Sequence, residues 1–154
     1  MNLIEGVDIS NTGGTEATGS LVVFENGIPD KSRYRRFKIR TRKIPDDFAM
    51  MQEVITRRFG HDEWIKPDLL LVDGGKGQLS HALKALQNRH LNLPVIGLSK
   101  REEEIIVQNG HKFKIIRLPL SNPGLHLIQR VRDEAHRFAI NYHRLLRSKK
   151  FSGR

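Results

Sequence analysis

The stretch LLLVDGGKGQL, residues 69–79, decides the fold class of this chain. Its first four residues are continuously apolar, which is typical of a central strand that is covered on both faces. The strand ends on a carboxylate, Asp73, and a glycine-rich turn then leads into an amphipathic run. This order predicts a buried strand, a tight turn and a helix from Gln78 to about Gln87, as in an α/β protein.

Upstream of this stretch, the pattern predicts a three-strand meander followed by a helix. Short runs rich in β-branched and aromatic residues alternate with turn signals, of which an Asn-Gly pair is the strongest. The predicted elements are a strand over 3–10, a small-residue turn over 11–15, a strand over 19–24, a tight turn at Asn26-Gly27, a strand over 32–39 and a helix over 45–60.

Downstream, we expect a buried strand over 93–99, a hairpin over 103–118 and a long helix. That helix starts at Ser121-Asn122-Pro123, because proline is favoured at the first helical position. We predict one domain over 1–146 and a flexible basic tail over 147–154. The order of elements predicts an α/β fold with a mixed five-stranded sheet flanked by helices and an extra hairpin before the last helix. This order is associated with ribonuclease H-like folds.

The composition narrows the class of protein. With 154 residues, of which 38% are hydrophobic, the chain can bury one core without disulfides. It has no cysteine, so any metal must be held by carboxylates, imidazoles or water. The N-terminus lacks the apolar region of a signal peptide, and no run of apolar residues is long enough to span a bilayer. We therefore expect a soluble cytoplasmic protein that does not contact a membrane.

Basic residues exceed acidic ones by 27 to 17, a formal charge of +10. Such an excess favours polyanionic partners such as nucleic acids, although a soluble protein can also simply be basic. The alternation of the strand over 32–39 places Arg36, Lys38 and Arg40 on one face, either to bind DNA or to guard a solvated sheet edge. Lys76 lies in the glycine-rich turn and could hold a phosphate, but the turn lacks the spacing of a nucleotide-binding P-loop.

Two carboxylates stand at positions that suggest chemistry. Asp73 ends a buried strand, where open α/β sheets tend to bind ligands, although a plain helix cap is the alternative. Asp8 lies inside the first strand between Val7 and Ile9, where an unpaired carboxylate carries a large desolvation cost. Either a structural salt bridge or a metal ion could offset that cost.

His136, in the stretch RDEAHRF of the last helix, is the third candidate. A helical histidine is often merely solvated or packed. Here it lies beside Ala135 and Ala139, near the face that should pack on the sheet, and in a ribonuclease H-like arrangement this helix passes the ends of the first and central strands. Two carboxylates and one imidazole would suit Mg²⁺ or Mn²⁺.

The motifs also resemble a known family in order and spacing. VDIS, VVFENG, YRRFKI, DDFAMMQEVI, DLLLVDGGKGQL, GLSKREEEI and LHLIQRVRDEAHRFAINYHR are similar to the C-terminal endonuclease domain of UvrC, the incision subunit of bacterial nucleotide excision repair. The resemblance implies a ribonuclease H-like fold, an active site on Asp8, Asp73 and His136, and incision of DNA on the 5′ side of a lesion together with UvrB. A further family aspartate matches Asp47, for which helix capping is the simpler explanation.

Several alternatives stay open at this point. The chain could be a non-catalytic nucleic-acid-binding module, or another ribonuclease H-like nuclease that acts on RNA or junctions. The small number of carboxylates favours one metal ion over two, and His136 could be a ligand or a base. The GIY-YIG nuclease, the UvrB-binding segment and the helix-hairpin-helix module of UvrC proteins are not found in the sequence, so we expect an isolated domain. We also expect it to be a monomer.

Overall fold

The computed structural model describes residues 2–11, 17–40, 47–99 and 103–152. Within these ranges, eight strands and three helices follow one another. The strands are β1 (Leu3–Asn11), β2 (Ala17–Glu25), β3 (Ile28–Pro29), β4 (Arg35–Lys38), β5 (Leu69–Asp73), β6 (Val95–Leu98), β7 (Ile105–Asn109) and β8 (Lys112–Ile116). The helices are α1 (Asp47–Arg58), α2 (Lys76–Asn88) and α3 (Pro123–Ser152). The predicted turn over 11–15 lies almost wholly outside the described residues.

The described strands form one mixed sheet in the order β3-β2-β1-β5-β6-β7-β8, and β4 pairs with β2 beside β3. Strand β1 is antiparallel to β2 and parallel to β5, which in turn is parallel to β6. The hairpin of β7 and β8 continues the same sheet, because β7 pairs antiparallel with β6. The mixed α/β architecture is therefore as predicted, and the strand count exceeds five through this hairpin and the short β3.

Helices cover both faces of the sheet. Helices α1 and α2 pack on one face over a core that includes Val7, Val72 and Val54. Helix α3 packs on the other face, where Val131 joins a second cluster. In the described part of the chain, none of the helices combines the length and apolar character that a bilayer crossing requires.

The third predicted strand differs from the observed one. A 3₁₀ turn occupies Lys31–Arg33, so β4 begins only at Arg35. Asp30 causes the break, because its carboxylate accepts hydrogen bonds from the Ser32 backbone N–H at 3.2 Å and from Arg33 Nε at 2.6 Å. Such local side-chain bonds compete with the strand ladder.

Two helix boundaries also differ from the prediction. Helix α2 begins at Lys76, two residues before Gln78, and Gly75 is its N-cap. Helix α3 begins at Pro123 as predicted, with Asn122 Oδ1 accepting from the backbone N–H of Gly124 at 2.8 Å. It continues to Ser152, past residue 146, where the sequence pattern placed the end of the domain. The domain boundary and the flexibility of the tail stay predictions.

A buried ion pair lies under the α1 face of the sheet. Arg58 of α1 donates from Nε to Glu5 Oε1 at 2.8 Å and from Nη2 to Glu5 Oε2 at 2.6 Å. Both side chains are almost fully buried. Burial raises the pKa of Glu5, and Arg58 opposes that rise. This pair shows that a carboxylate inside β1 can be balanced by a cationic side chain, as considered for Asp8.

Candidate metal centre

The register of two parallel strands brings Asp8 and Asp73 side by side. Val7 of β1 pairs with Val72 of β5, so the next residue on each strand is an aspartate. Both valines point into the core beneath α1 and α2. Because side chains alternate along a strand, the two aspartates project to the opposite face, which α3 covers.

Helix α3 adds His136 to this pair. One ligand atom from each of Asp8, Asp73 and His136 lies within 4.8 Å of the other two, and within the described ranges this is the cluster that could hold a metal ion. Nδ1 of His136 lies 3.3 Å from Oδ2 of Asp8. Since a carboxylate oxygen can only accept, the ring nitrogen is the donor. Asp8 is buried, Asp73 is half-buried and the His136 side chain is 53% exposed.

A close contact between β1 and α3 sets the height of the helix above the sheet. A Cβ on Gly6 would lie 2.6 Å from Cγ1 of Val131, which is fully buried. Gly6 and Asp8 share a face of β1, and Val131 precedes His136 by five residues on α3. The absence of a side chain at Gly6 therefore lets α3 approach closely enough for His136 to reach Asp8.

The turn after Asp73 depends on glycine. Gly74 has φ +145, in the region that residues with side chains rarely adopt. A Cβ on Gly97 of β6 would lie 2.9 Å from the Gly74 carbonyl oxygen, so the turn rests directly on the neighbouring strand. Lys76 is exposed at the first residue of α2, with Nζ 5.9 Å from the centre of the Phe113 ring. Its role in holding phosphate stays a prediction.

Tyr34 and Arg137 hold Glu134, two residues before His136. The Tyr34 hydroxyl donates to Glu134 Oε2 at 2.7 Å, and Arg137 donates to both carboxylate oxygens. Hydrogen bonds from Arg137, and then from Tyr34, lower the pKa of Glu134. Burial and the Glu134 carboxylate raise the pKa of Tyr34. This network ties α3 to the segment just before β4.

A basic edge runs beside the site. Arg36, Lys38 and Arg40 are exposed, as the alternation predicted. The Arg36 guanidinium lies 3.9 Å from the centre of the Phe138 ring and 4.8 Å from that of Tyr142. Burial against the protein lowers the pKa of this guanidinium, which nonetheless stays charged.

Arg36 lies on the same face of the sheet as Asp8, a member of the candidate metal centre. It pairs with Ser20 of β2, and Ser20 pairs with Asp8 of β1. Residues directly opposite on paired strands share a face, so Arg36 lies two strand spacings, or about 10 Å, from Asp8.

Ser20 is a residue of this site that sequence reasoning missed. Its hydroxyl is fully buried and has no hydrogen-bond partner among the described residues. Only the β1–β2 register places it opposite Asp8. No local pattern points to it, because serine is common on strands with no such neighbour.

Asp47 is not a member of the cluster. It is the exposed first residue of α1, where a carboxylate interacts favourably with the helix dipole. The cluster of described residues consists of Asp8, Asp73 and His136, without Asp47. A part for Asp47 in incision stays a prediction.

Comparison with known proteins places this chain in a family. The model of the UvrC RNase H endonuclease domain matches residues 1–140. The chain belongs to the UvrC RNase H endonuclease domain family. The predicted ribonuclease H-like fold and the resemblance drawn from the motifs are thereby confirmed.

The chain also matches longer proteins named UvrABC system protein C. UvrABC system protein C of Methanococcoides burtonii is 50% identical over 152 residues, covering 97% of this chain and 25% of that protein. The Dehalococcoides mccartyi protein is 53% identical over 155 residues, covering 95% and 25%. The chain thus spans about a quarter of the length of these curated relatives. A solved endonuclease V from Ciona intestinalis, bound to DNA, aligns with a TM-score of 0.48 and 18% identity over 64% of this chain and 46% of that one.

Proposed function

We propose that the chain is a divalent-metal-dependent endonuclease domain that cuts one DNA strand by hydrolysis of a phosphodiester. The observation that carries this proposal is the convergence of Asp8, Asp73 and His136 within 4.8 Å. Membership of the UvrC RNase H endonuclease family supports it. We further propose that the cut falls on the 5′ side of a lesion in nucleotide excision repair, in the cytoplasm, with the domain monomeric and acting alongside UvrB.

The residues present fit a hard divalent cation. Asp8 and Asp73 offer carboxylate oxygens, which Mg²⁺ and Mn²⁺ prefer, and His136 offers an imidazole nitrogen. When bound, the ion would supply Lewis-acid stabilisation of the charge that develops on the scissile phosphate. With two carboxylates in the cluster, a single ion is the proposed count.

His136 has two possible parts in the reaction, as a ligand or as a base. In the geometry of the free protein, Nδ1 donates to Asp8, so Asp8 orients the ring and leaves the Nε2 lone pair for a proton. The side chain is 53% exposed, so a water molecule can reach it. This arrangement favours a base, held in place by Asp8, that accepts the proton of the attacking water.

The basic edge supports DNA as the substrate. Arg36 is held by the rings of Phe138 and Tyr142, so its guanidinium loses little further freedom when it meets a phosphate. The backbones of Arg36 and Asp8 are two strand spacings apart, about 10 Å, which corresponds to roughly three base steps at 3.4 Å. Arg36 is therefore suited to hold a phosphate a few nucleotides from the cut.

The test measures nicking of a supercoiled plasmid in Mg²⁺ and binding of Mn²⁺ by calorimetry. We expect Asp8→Asn and Asp73→Asn each to lower the nicking rate by at least a hundredfold and to weaken Mn²⁺ binding. Asp62→Asn, which changes an exposed carboxylate outside the cluster, should alter neither measurement. Wild-type nicking and wild-type Mn²⁺ affinity in the Asp8→Asn protein would contradict the proposal.

His136→Asn and His136→Gln separate the two roles of the histidine. Both amides keep a possible ligand oxygen but cannot accept a proton near neutrality. If His136 is mainly a base, the variants should bind Mn²⁺ nearly as the wild type does and lose nicking. If it is mainly a ligand, the amide oxygen should take the place of the ring nitrogen, and Mn²⁺ binding and nicking should both be largely retained.

A further inference from the structure

Phe48 is an exposed aromatic residue beside the glycine-rich turn. It lies one residue after the start of α1, and 43% of its surface is exposed. The other large hydrophobic side chains that are exposed in the described part of the chain are all isoleucine or leucine. Its ring stacks on the imidazole of His81, with ring centres 4.8 Å apart and planes 27° apart.

The third glycine of the LLLVDGGKGQL stretch accommodates this ring. A Cβ on Gly77 would lie 2.4 Å from Cζ and 2.5 Å from Cε1 of Phe48. Glycine inside a helix costs about 1 kcal/mol relative to alanine. Gly77 stands in the first turn of α2, so the chain accepts that cost where the phenyl ring lies directly on the helix backbone.

His81 is fixed in the same arrangement. Its Nδ1 lies 3.1 Å from the carbonyl oxygen of Gly77, one helical turn earlier. A carbonyl can only accept, so Nδ1 carries the proton and the ring is held in one orientation. Phe48, Gly77 and His81 therefore form a rigid aromatic surface at the start of α2.

This surface lies at the same end of β5 as Asp73, on the sheet face that α1 and α2 cover. Gly77 follows Asp73 by four residues, so their Cα atoms are at most about 14 Å apart even for an extended chain. That distance corresponds to about four base steps. Lys76, the residue before Gly77, is exposed, and its Nζ lies 5.9 Å from the centre of the Phe113 ring. It adds a positive charge to the same first turn of α2.

We propose that Phe48 and His81 form a stacking platform for a nucleobase of the DNA strand near the scissile phosphate, an inference that rests on the proposed nuclease function. Aromatic side chains stack on any base, so the platform would position the strand without selecting a sequence. It would act in positioning and not in the chemical step. Its loss should raise KM more than it lowers kcat.

The test uses single-stranded oligonucleotides without divalent metal, so that binding is measured apart from cleavage. Anisotropy gives the affinity, and 2-aminopurine placed at successive positions reports stacking through quenched fluorescence. We expect Phe48→Leu to weaken binding about 5- to 150-fold, the equivalent of the ~1–3 kcal/mol of one base–aromatic stack. Phe48→Tyr should retain binding. Leu120→Ala, which shortens another exposed apolar side chain, should bind as the wild type does.

Two outcomes would overturn the platform. One is affinity and quenching in Phe48→Leu that match the wild type. The other needs no variant and therefore does not depend on folding of the altered chain: uniform 2-aminopurine fluorescence along the strand in the wild-type complex. Either result together with normal nicking would leave the nuclease proposal intact. Phe48-dependent quenching in a protein that never nicks DNA would support the platform and contradict the nuclease proposal alone.

Discussion

Gly6→Ala tests whether the seating of α3 on β1 controls the metal centre. The added methyl group would lie 2.6 Å from Cγ1 of Val131, whereas carbon atoms attract best at about 3.5–4.0 Å. The contact is therefore about 1 Å too short. Val131 is fully buried, and a β-branched side chain in a helix has one strongly preferred rotamer. The side chain cannot turn away, so the helix must move.

The size of the effect follows from that displacement. Overpacking of a core costs typically about 1–3 kcal/mol, so the melting temperature should fall. A misplacement of about 1 Å at a catalytic group can cost about a hundredfold in rate. Since α3 carries His136, we expect nicking by Gly6→Ala to fall by about that factor, although no residue of the cluster is changed.

The assay combines thermal unfolding with plasmid nicking in saturating Mg²⁺. Val131→Ala is the matched second substitution, because it removes the Cγ atom that the new methyl group would meet. In the Val131→Ala background, Gly6→Ala should cost much less stability and much less activity than in the wild type. The interaction between the two substitutions is thus a coupling free energy measured by a double-mutant cycle.

Two results would refute this reasoning. A Gly6→Ala protein with wild-type stability and nicking would show that α3 does not rest on Gly6. Equal costs of Gly6→Ala with and without Val131 would show that the loss arises elsewhere, for example from changes in the backbone freedom of the unfolded chain.

Two further predictions concern the network around Glu134 and the basic edge. Tyr34→Phe removes a hydrogen bond that lowers the pKa of Glu134. A carboxylate with a lowered pKa stabilises the folded state at pH values above its ordinary pKa of 4.5, and this stabilisation is lost as the pH falls through the lowered pKa. The stability difference between Tyr34→Phe and the wild type, measured by urea unfolding, should therefore be about 1.5–3 kcal/mol at neutral pH and shrink below pH 4.5. Changing Arg36, Lys38 and Arg40 together to Ala should make the slope of log K against log salt less steep by up to about 3; an unchanged slope would mean that these side chains do not touch phosphate.

Much of the fold could be predicted because its signals are local. The continuous apolar run before Asp73 marks β5, and Pro123 after Asn122 marks the start of α3. The break before β4 could not be predicted in the same way. The break depends on the hydrogen bonds that Asp30 accepts from Ser32 and Arg33. The sequence around Asp30 does not reveal these bonds, because its pattern is that of a regular strand.

The candidate site, too, could be predicted only in part from the sequence. The pairing of Asp8 with Asp73 follows once β1 and β5 are taken as parallel neighbours. The place of His136 could be predicted only through the ribonuclease H-like order of elements and the family resemblance, because 62 residues separate it from Asp73. The positions of Ser20 and of Phe48 on Gly77 depend on register and on helix packing, which no local pattern encodes.

Two contacts join β1 to α3, one between Gly6 and Val131 and one between Asp8 and His136. Their spacings along the strand and along the helix match, so a change at Gly6 affects the metal centre. From Gly6 to Asp8 the strand advances by about 7 Å, and from Val131 to His136 the helix advances by about 7.5 Å. Over those five residues the helix turns by about 140° beyond a full turn, so Val131 points into the sheet while His136 lies at the rim. This accounts for a fully buried Val131 and a His136 side chain that is 53% exposed. A larger residue at Gly6 would lift the buried contact, and the rim contact with Asp8 would separate with it.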